Sequence, residues 1–315
     1  MSKRIKVGVA GAGVFGGYHA SKYASHPQSS LAGIYDIDES QAKQLAEKHA
    51  TAAYTDFDVF LSDIDAVVIA APAIAHFSLA EAALRAGKHV FVEKPITLEV
   101  GEADTLSALA ANQKLTLQVG HQERYVFSAF GLLARKRSPL KIDSVRRTAA
   151  TGRCEDVSVA LDLMIHDIDL IRHLTKSDIE TLSASGDPHD ASAEICLTNG
   201  TLVFLSASRR SDAPERRMTL VYDDGIVEFD FVKRAISNST PAPLLSDFSN
   251  DDAPLSLVDP LGHGANEFIK CLTNNHSPAV TGEDGREALR WAKRIEDVAG
   301  ISVENEPNEQ ERRRA

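Results

Sequence analysis

The sequence has few cysteines, no long apolar run, and less positive charge than negative. Its three cysteines, Cys154, Cys196 and Cys271, are an odd number, lie far apart and form no CxxC pair. That usage excludes a disulfide framework and fits structural thiols of a reducing compartment. No stretch approaches the roughly 18 consecutive apolar residues that a membrane helix needs. Lys3, Arg4 and Lys6 precede an apolar run as in a secretory leader, but the run is short and glycine-rich, and no matching cleavage site follows. The expected location is therefore cytoplasmic, with no membrane partner. Lys plus Arg number 34 against 45 Asp plus Glu, a net charge of −11. An acidic chain gains nothing from counterion release, so nucleic acid is not an expected partner. An anionic small molecule would need a local cluster of arginines.

What is present is the composition of a globular protein, and 315 residues suggest two domains. Through residue 120, short apolar runs at 5–10, 31–35, 66–71, 89–93 and 116–120 alternate with helical stretches. Strands alternating with helices predict an α/β, doubly wound parallel sheet. From 144 to 231 the chain reads mostly as strands. Thr198-Asn199-Gly200 and Asp223-Asp224-Gly225 stand between alternating apolar runs as hairpin signals. The exception is one helix over 157–174. The expected second domain, 121–300, is thus α+β with an open, mainly antiparallel sheet. Residues 237–260 read as a loop, 266–272 and 286–299 as helices, the last of which can pack back on the first domain. The charged stretch 301–315 reads as a disordered tail. An open sheet with an uncovered apolar face predicts a homodimer or homotetramer.

Gly11-Ala12-Gly13-Val14-Phe15-Gly16 is a GxGxxG directly after the first strand and at the start of a helix. In that setting the string predicts a dinucleotide site over residues 1–120. Gly11 allows the tight turn, Gly13 lets backbone approach a pyrophosphate, and Gly16 lets helix and strand pack closely. Val14 and Phe15 belong to the same phosphate-facing turn, at a helix N-terminus that favours negative charge. Asp36 ends the second strand, 25 positions after Gly11. A carboxylate there accepts ribose hydroxyls and repels an added phosphate, which favours NAD as cofactor. The plainer reading is that Asp36 or Asp38 caps the next helix.

On the helix DVSVALDLMIHDIDLIRHL, Asp162, His166, Asp169 and His173 are spaced by four, three and four, and predict one polar stripe. Buried charge needs a partner, and an Asp one turn before a His supplies it. Asp162 is therefore expected to orient His166 as a general base; an internal salt bridge is the alternative, and the preferred one for Asp169 and His173. A cation shared by Asp162 and His166 lacks a third local ligand, so no metal is expected.

Several motifs together resemble the Gfo/Idh/MocA oxidoreductase family: Glu93-Lys94-Pro95 after a strand, Pro72 and His76 as PxxxH, Gly120 to Tyr125, and Asp162 to Asp167 as DxxxHD. A closer likeness, carried by the 157–174 helix, Ser206 to Arg209 and the stretch 217–231, is to its UDP-N-acetylglucosamine 3-dehydrogenases of lipid A amino-sugar formation. The resemblance implies that Lys94 hydrogen-bonds the reacting hydroxyl, with His166 as proton acceptor and Asp162 as its orienter. It also implies that Ala71, Pro72, His76, Glu93 and Lys94 line the cofactor. Arg124, Arg153 and Arg209 are candidates for gripping a substrate pyrophosphate, since the guanidinium fork suits phosphate oxygens. Two departures stand out. Ala73 occupies a position where the family often has Asn, and Val126-Phe127 replace a frequent Asn-Pro. The expected function is NAD-dependent oxidation of a secondary hydroxyl of a sugar or nucleotide sugar. A free-sugar or inositol dehydrogenase, a non-catalytic NAD-binding regulator and a metal-dependent hydrolase remain open alternatives.

Overall fold

The structure is a computed structural model and describes residues 4–149, 156–248 and 253–303. Strands β1 (Ile5–Ala10), β2 (Ser29–Tyr35), β3 (Ala52–Tyr54), β4 (Ala66–Ile69), β5 (His89–Val92) and β6 (Leu117–Val119) form one sheet in the order β3-β2-β1-β4-β5-β6. Every pairing in it is parallel. Helices α1 (Val14–Ser25), α2 (Glu39–Lys48), α3 (Phe57–Ser62), α4 (His76–Arg85) and α5 (Val100–Gln113) connect the strands. Covered on both faces, the central strands are apolar along their length. Val7, Val9, Val67, Val68 and Ile69 are all fully buried. The order reverses between β1 and β4, and in open parallel sheets ligands bind at that crevice, beyond the strand carboxyl ends.

The chain then enters α6 (Glu123–Ala129), β7 (Lys141–Arg147), a wide π-turn over Ala160–Met164 and α7 (Ile165–Thr175). Strands β8 (Ile179–Asp187), β9 (Asp190–Leu197), β10 (Leu202–Ser208), β11 (Glu215–Tyr222), β12 (Gly225–Asp230) and β13 (Ala235–Asn238) complete a seven-stranded sheet, β13-β12-β11-β7-β10-β9-β8. It is antiparallel except where β10 meets β7. Both expected hairpins form: Cys196 pairs with Leu202 across the Asn-Gly turn, and Tyr222 pairs with Gly225 across Asp223 and Asp224. The inner face buries Ile142, Ile195, Val203, Leu205, Leu220 and Phe229. The outer face carries Ser183, Ser192, Glu194, Arg217 and Glu228 beside Leu202 and Ile226. It is mixed in polarity, not the apolar face that the sequence reading supposed.

Three boundaries differ from expectation. Residues 237–260 include the end of β13 and a short helix, α8 (Leu255–Val258). Helix α9 runs Pro260–Asn274, starting well before 266, because Asp259 caps it and Pro260 occupies its first turn. Helix α10 (Gly282–Ala299) starts at a capping box of Thr281 and Asp284. It packs against the first sheet's layer: Arg286 reaches Asp104 at 2.9 Å, and Gly285 sits against Val119 and Ile96. Cys196 and Cys271 are free thiols. Cys154, Arg153 and most of the expected tail lie outside the described residues. No helix among the described residues is long and apolar enough to cross a membrane.

Candidate active site

The glycine turn joins β1 to α1 at the strand-order reversal. Gly11 has φ +103°, and a Cβ there would lie 2.6 Å from the Ala70 carbonyl oxygen. A Cβ on Gly16 would lie 1.8 Å from the carbonyl oxygen of Gly11, so only glycine lets the helix close on the turn. Gly13, the N-cap of α1, faces open space with nothing within 4 Å, and no side chain caps the helix. The first turn holds no acidic residue, and Val14 and Phe15 are exposed. Uncapped N–H groups with open space before them suit a pyrophosphate. Asp36 sits beside this turn, accepting from the backbone N–H of Ala12 at 2.7 Å and of Asp38 at 2.9 Å. The α2 cap is Asp38, so Asp36 is not spent on capping. The turn, the uncapped helix start and Asp36 together fit a dinucleotide.

The Glu93-Lys94-Pro95 segment follows β5 on the same rim, with a cis Lys94–Pro95 peptide. Lys94 Nζ donates to Asp162 twice, to Oδ1 at 2.7 Å and to the backbone carbonyl at 2.8 Å. An ammonium has three donors, so one remains for a ligand. Asp162 lies within the π-turn, where Ile165 N–H bonds back five residues to the Ala160 carbonyl and widens the helix. Arg209 Nη2 reaches the other Asp162 oxygen at 3.1 Å. Burial alone would raise the Asp162 pKa, but Lys94 and Arg209 outweigh it and hold the carboxyl below its usual value. Arg209 is 6% exposed, yet among the described residues its Nε and Nη1 have no hydrogen-bond partner. Lys94 and Arg209 thus leave donors uncommitted around one carboxylate.

His166 lies one turn beyond Asp162, but no hydrogen bond or ion pair joins them among the described residues. The expected orienting role of Asp162 is therefore corrected: its oxygens are taken by cations arriving from β5 and β10. The carboxylate near His166 is Glu123, whose Oε1 lies 3.5 Å from Nδ1. Burial pushes the His166 pKa well below the ordinary imidazole value; Glu123 opposes the shift, while Lys94, Arg146 and His121 add to it. His166 is neutral near pH 7 and retains a fifth of its side-chain surface, so it can accept a proton. The polar stripe also divides further along: Asp169 binds Arg124, and His173 Nε2 lies 3.3 Å from Asp284. A metal between Asp162 and His166 would have to displace two cations, so this donor set does not fit one.

Several assigned residues are engaged elsewhere. Arg124 is 4% exposed and held by Asp169, Asp284 and the Ala279 carbonyl, as a buried structural ion pair and not a substrate grip. His76 is buried, with its ring nitrogens 2.7 and 3.0 Å from the carbonyls of Pro95 and Ala71. Its one N–H in the neutral ring donates to one of these carbonyls, and the ring packs between the loops of Ala71-Pro72 and Lys94-Pro95, buried away from the open space before the glycine turn. Glu93 is buried against His19 Nε2 at 2.8 Å and Gln122 Nε2 at 3.0 Å, which makes it a support beneath Lys94. Ala71 and Pro72 stay partly exposed at the rim. At the two departures, Ala73 opens a short 3-10 turn, and Phe127 is fully buried with its ring centroid 4.9 Å from that of Phe229. The sequence reading missed His19, His121, Glu123, Arg146 and Arg216. Of these His121 and Glu123 sat in a quoted motif, and nothing in local spacing tied either to residue 166.

The family described as "Oxidoreductase family, NAD-binding Rossmann fold" matches residues 5–121. UDP-N-acetylglucosamine 3-dehydrogenase of Acidithiobacillus ferrooxidans is 32% identical, over 92% of this chain and 96% of its own. A solved structure of that enzyme superposes with a TM-score of 0.85 at 32% identity, covering 94% of this chain and 98% of the other. The scyllo-inositol dehydrogenase of Lactobacillus casei, solved with NAD(H) and scyllo-inositol, gives a TM-score of 0.80 at 23% identity, over 95% and 97% of the two chains. At that identity the likeness carries the fold alone.

Proposed function

The chain belongs to the Gfo/Idh/MocA oxidoreductase family and uses NAD, and from that premise we propose that it oxidises carbon 3 of UDP-N-acetylglucosamine. The observation that carries the reading is Lys94, anchored on Asp162 and near enough to His166 to disfavour its charged form, at the rim where the glycine turn opens. The free Lys94 donor hydrogen-bonds the sugar hydroxyl and favours its alkoxide character. His166, held neutral by burial, takes the hydroxyl proton on its Nε2. NAD, when bound at Gly11 to Gly16 and Asp36, supplies the hydride acceptor. Asp162 keeps the Lys94 ammonium in place through two bonds, so its part is to position Lys94.

A nucleotide sugar is favoured over a neutral sugar by Arg209, two of whose nitrogens have no partner among the described residues and suit an anionic group. Arg153 is retained as a second candidate for the same diphosphate. Residues 1–120 form the cofactor domain in this proposal and 121–300 the substrate domain. A homodimer or homotetramer through the second sheet remains part of it. The test is formation of reduced nicotinamide, followed by absorbance, with NAD and a panel of UDP-N-acetylglucosamine, free N-acetylglucosamine, glucose 6-phosphate and myo-inositol. The expected result is turnover with the nucleotide sugar at the highest kcat/KM. Preference for inositol would replace the substrate assignment, and no turnover with any of them would remove it.

A further inference from the structure

Three carboxylates, of Glu123, Asp162 and Asp167, lie about His166, and among the described residues only Glu123 pairs with an imidazole nitrogen. Glu123, at the start of α6, is 9% exposed and forms ion pairs with Arg146 of β7 and Arg216 of β11. Arg146 in turn holds Asp167 through two bonds, at 2.7 and 2.8 Å. Glu123 is thereby fixed from two strands, and Arg146 and Arg216 overcome its burial and hold its carboxyl well below the usual range. Its Oε1 lies 3.5 Å from His166 Nδ1, a nitrogen that is buried and makes no hydrogen bond among the described residues. Contacts of catalytic groups in unliganded proteins are often long and tighten when the reacting proton arrives.

We propose that Glu123 is the positioning residue for His166: its carboxylate accepts a hydrogen bond from Nδ1–H, which fixes the tautomer and leaves Nε2 free to take the proton of the substrate hydroxyl. The inference rests on the reading of His166 as proton acceptor. A network of two arginines, Glu123 and Asp167 is balanced in charge when His166 is neutral. When the imidazole gains the hydroxyl proton, the new positive charge faces Glu123. The other groups facing His166 are Lys94 from beyond β5, His121 from the link between β6 and α6, and Arg146 from β7, and all three disfavour its charged form. Arg216 of β11 acts on it through Glu123, Asp162 lies one turn before it spent on Lys94 and Arg209, and Asp167 beside it is spent on Arg146.

The test compares Glu123→Gln, Glu123→Asp and His166→Asn as NAD-loaded full chains, with UDP-N-acetylglucosamine as substrate. Glu123→Gln should lower kcat about 10- to 100-fold, the range of one charge-assisted hydrogen bond, with KM changed less than about threefold. The acid limb of its kcat/KM profile should move to lower pH, because the group that favours imidazolium is gone. Glu123→Asp should restore part of both effects. A purely structural glutamate would lower thermal stability and leave the limb where it was. Nitrogen-15 NMR of the wild-type protein, with His166 assigned by its loss in His166→Asn, needs no glutamate variant to fold. It should show the proton on Nδ1. A proton on Nε2, or a Glu123→Gln enzyme with unchanged kcat and pH limb, overturns the inference. Full turnover by His166→Asn would instead overturn the reading beneath it.

Discussion

Asp162 and Glu123 are alike in burial and in being held by two cations each, yet the surroundings give them opposite roles. Among the described residues the cations on Asp162 keep spare capacity: Lys94 has an unused donor, and Arg209 has two unpartnered nitrogens. The principal cation on Glu123 has little, since Arg146 also clamps Asp167 with two bonds. The first cluster keeps a free ammonium donor on partly exposed Lys94, and the second is a frame behind the histidine. A buried ion pair says little by itself about function; what decides is whether its donors are exhausted inside the protein.

The largest test of that contrast is Lys94→Ala, which removes the open cluster's free donor. Turnover should fall by about 10²–10⁴-fold while NAD affinity changes little, read by steady-state kinetics and by titration of the cofactor. Arg146→Met attacks the frame and should show mainly in stability. Leaving Glu123 and Asp167 without their shared cation should cost about 3–5 kcal/mol in denaturant unfolding. Asp162→Asn sits between them. It loosens Lys94 without removing it, so the expected loss in kcat is about 10- to 100-fold, with stability less affected than in Arg146→Met. If Asp162→Asn destabilises more than Arg146→Met and slows turnover less than twofold, the distinction between the two clusters fails.

Much of this was legible in short stretches of sequence, and the reason is physical. The glycine turn depends on contacts made within one βαβ unit: Gly16 against Gly11, Gly11 against Ala70, and Asp36 beside Ala12. Hairpin turns are similarly local, and both formed where Asn-Gly and Asp-Asp-Gly stood. Charge pairing on the α7 helix was not legible, because the partners come from residues 43 to 47 positions away or more. Helical spacing put Asp162 beside His166, but Lys94 and Arg209 compete for that carboxylate with full charges. Arg124 misled for the same reason: its sequence setting shows a guanidinium, and only the fold shows Asp169 and Asp284 around it.

A smaller effect concerns pH. His166 acts as an acceptor only when neutral, so activity should rise with pH through its pKa and be lost below it. Burial holds that pKa below the ordinary value, and the acid limb of kcat/KM should lie under pH ~6.5. A limb at or above that pH would assign the proton to another group. The smallest expected change is the stability of Gly13→Ala. Its Cβ would meet open space, so unfolding should shift by no more than about 0.5 kcal/mol while NAD binding weakens.

The central claim is that Lys94 and His166, brought from separate sheets' layers, act on one hydroxyl. A crystal structure of the complex with NAD and UDP-N-acetylglucosamine measures this directly. The account predicts Lys94 Nζ and His166 Nε2 each about 2.6–3.2 Å from the oxygen on carbon 3 of the sugar. A sugar bound with that oxygen near neither nitrogen, or with the two nitrogens on opposite walls of the cleft, would contradict it.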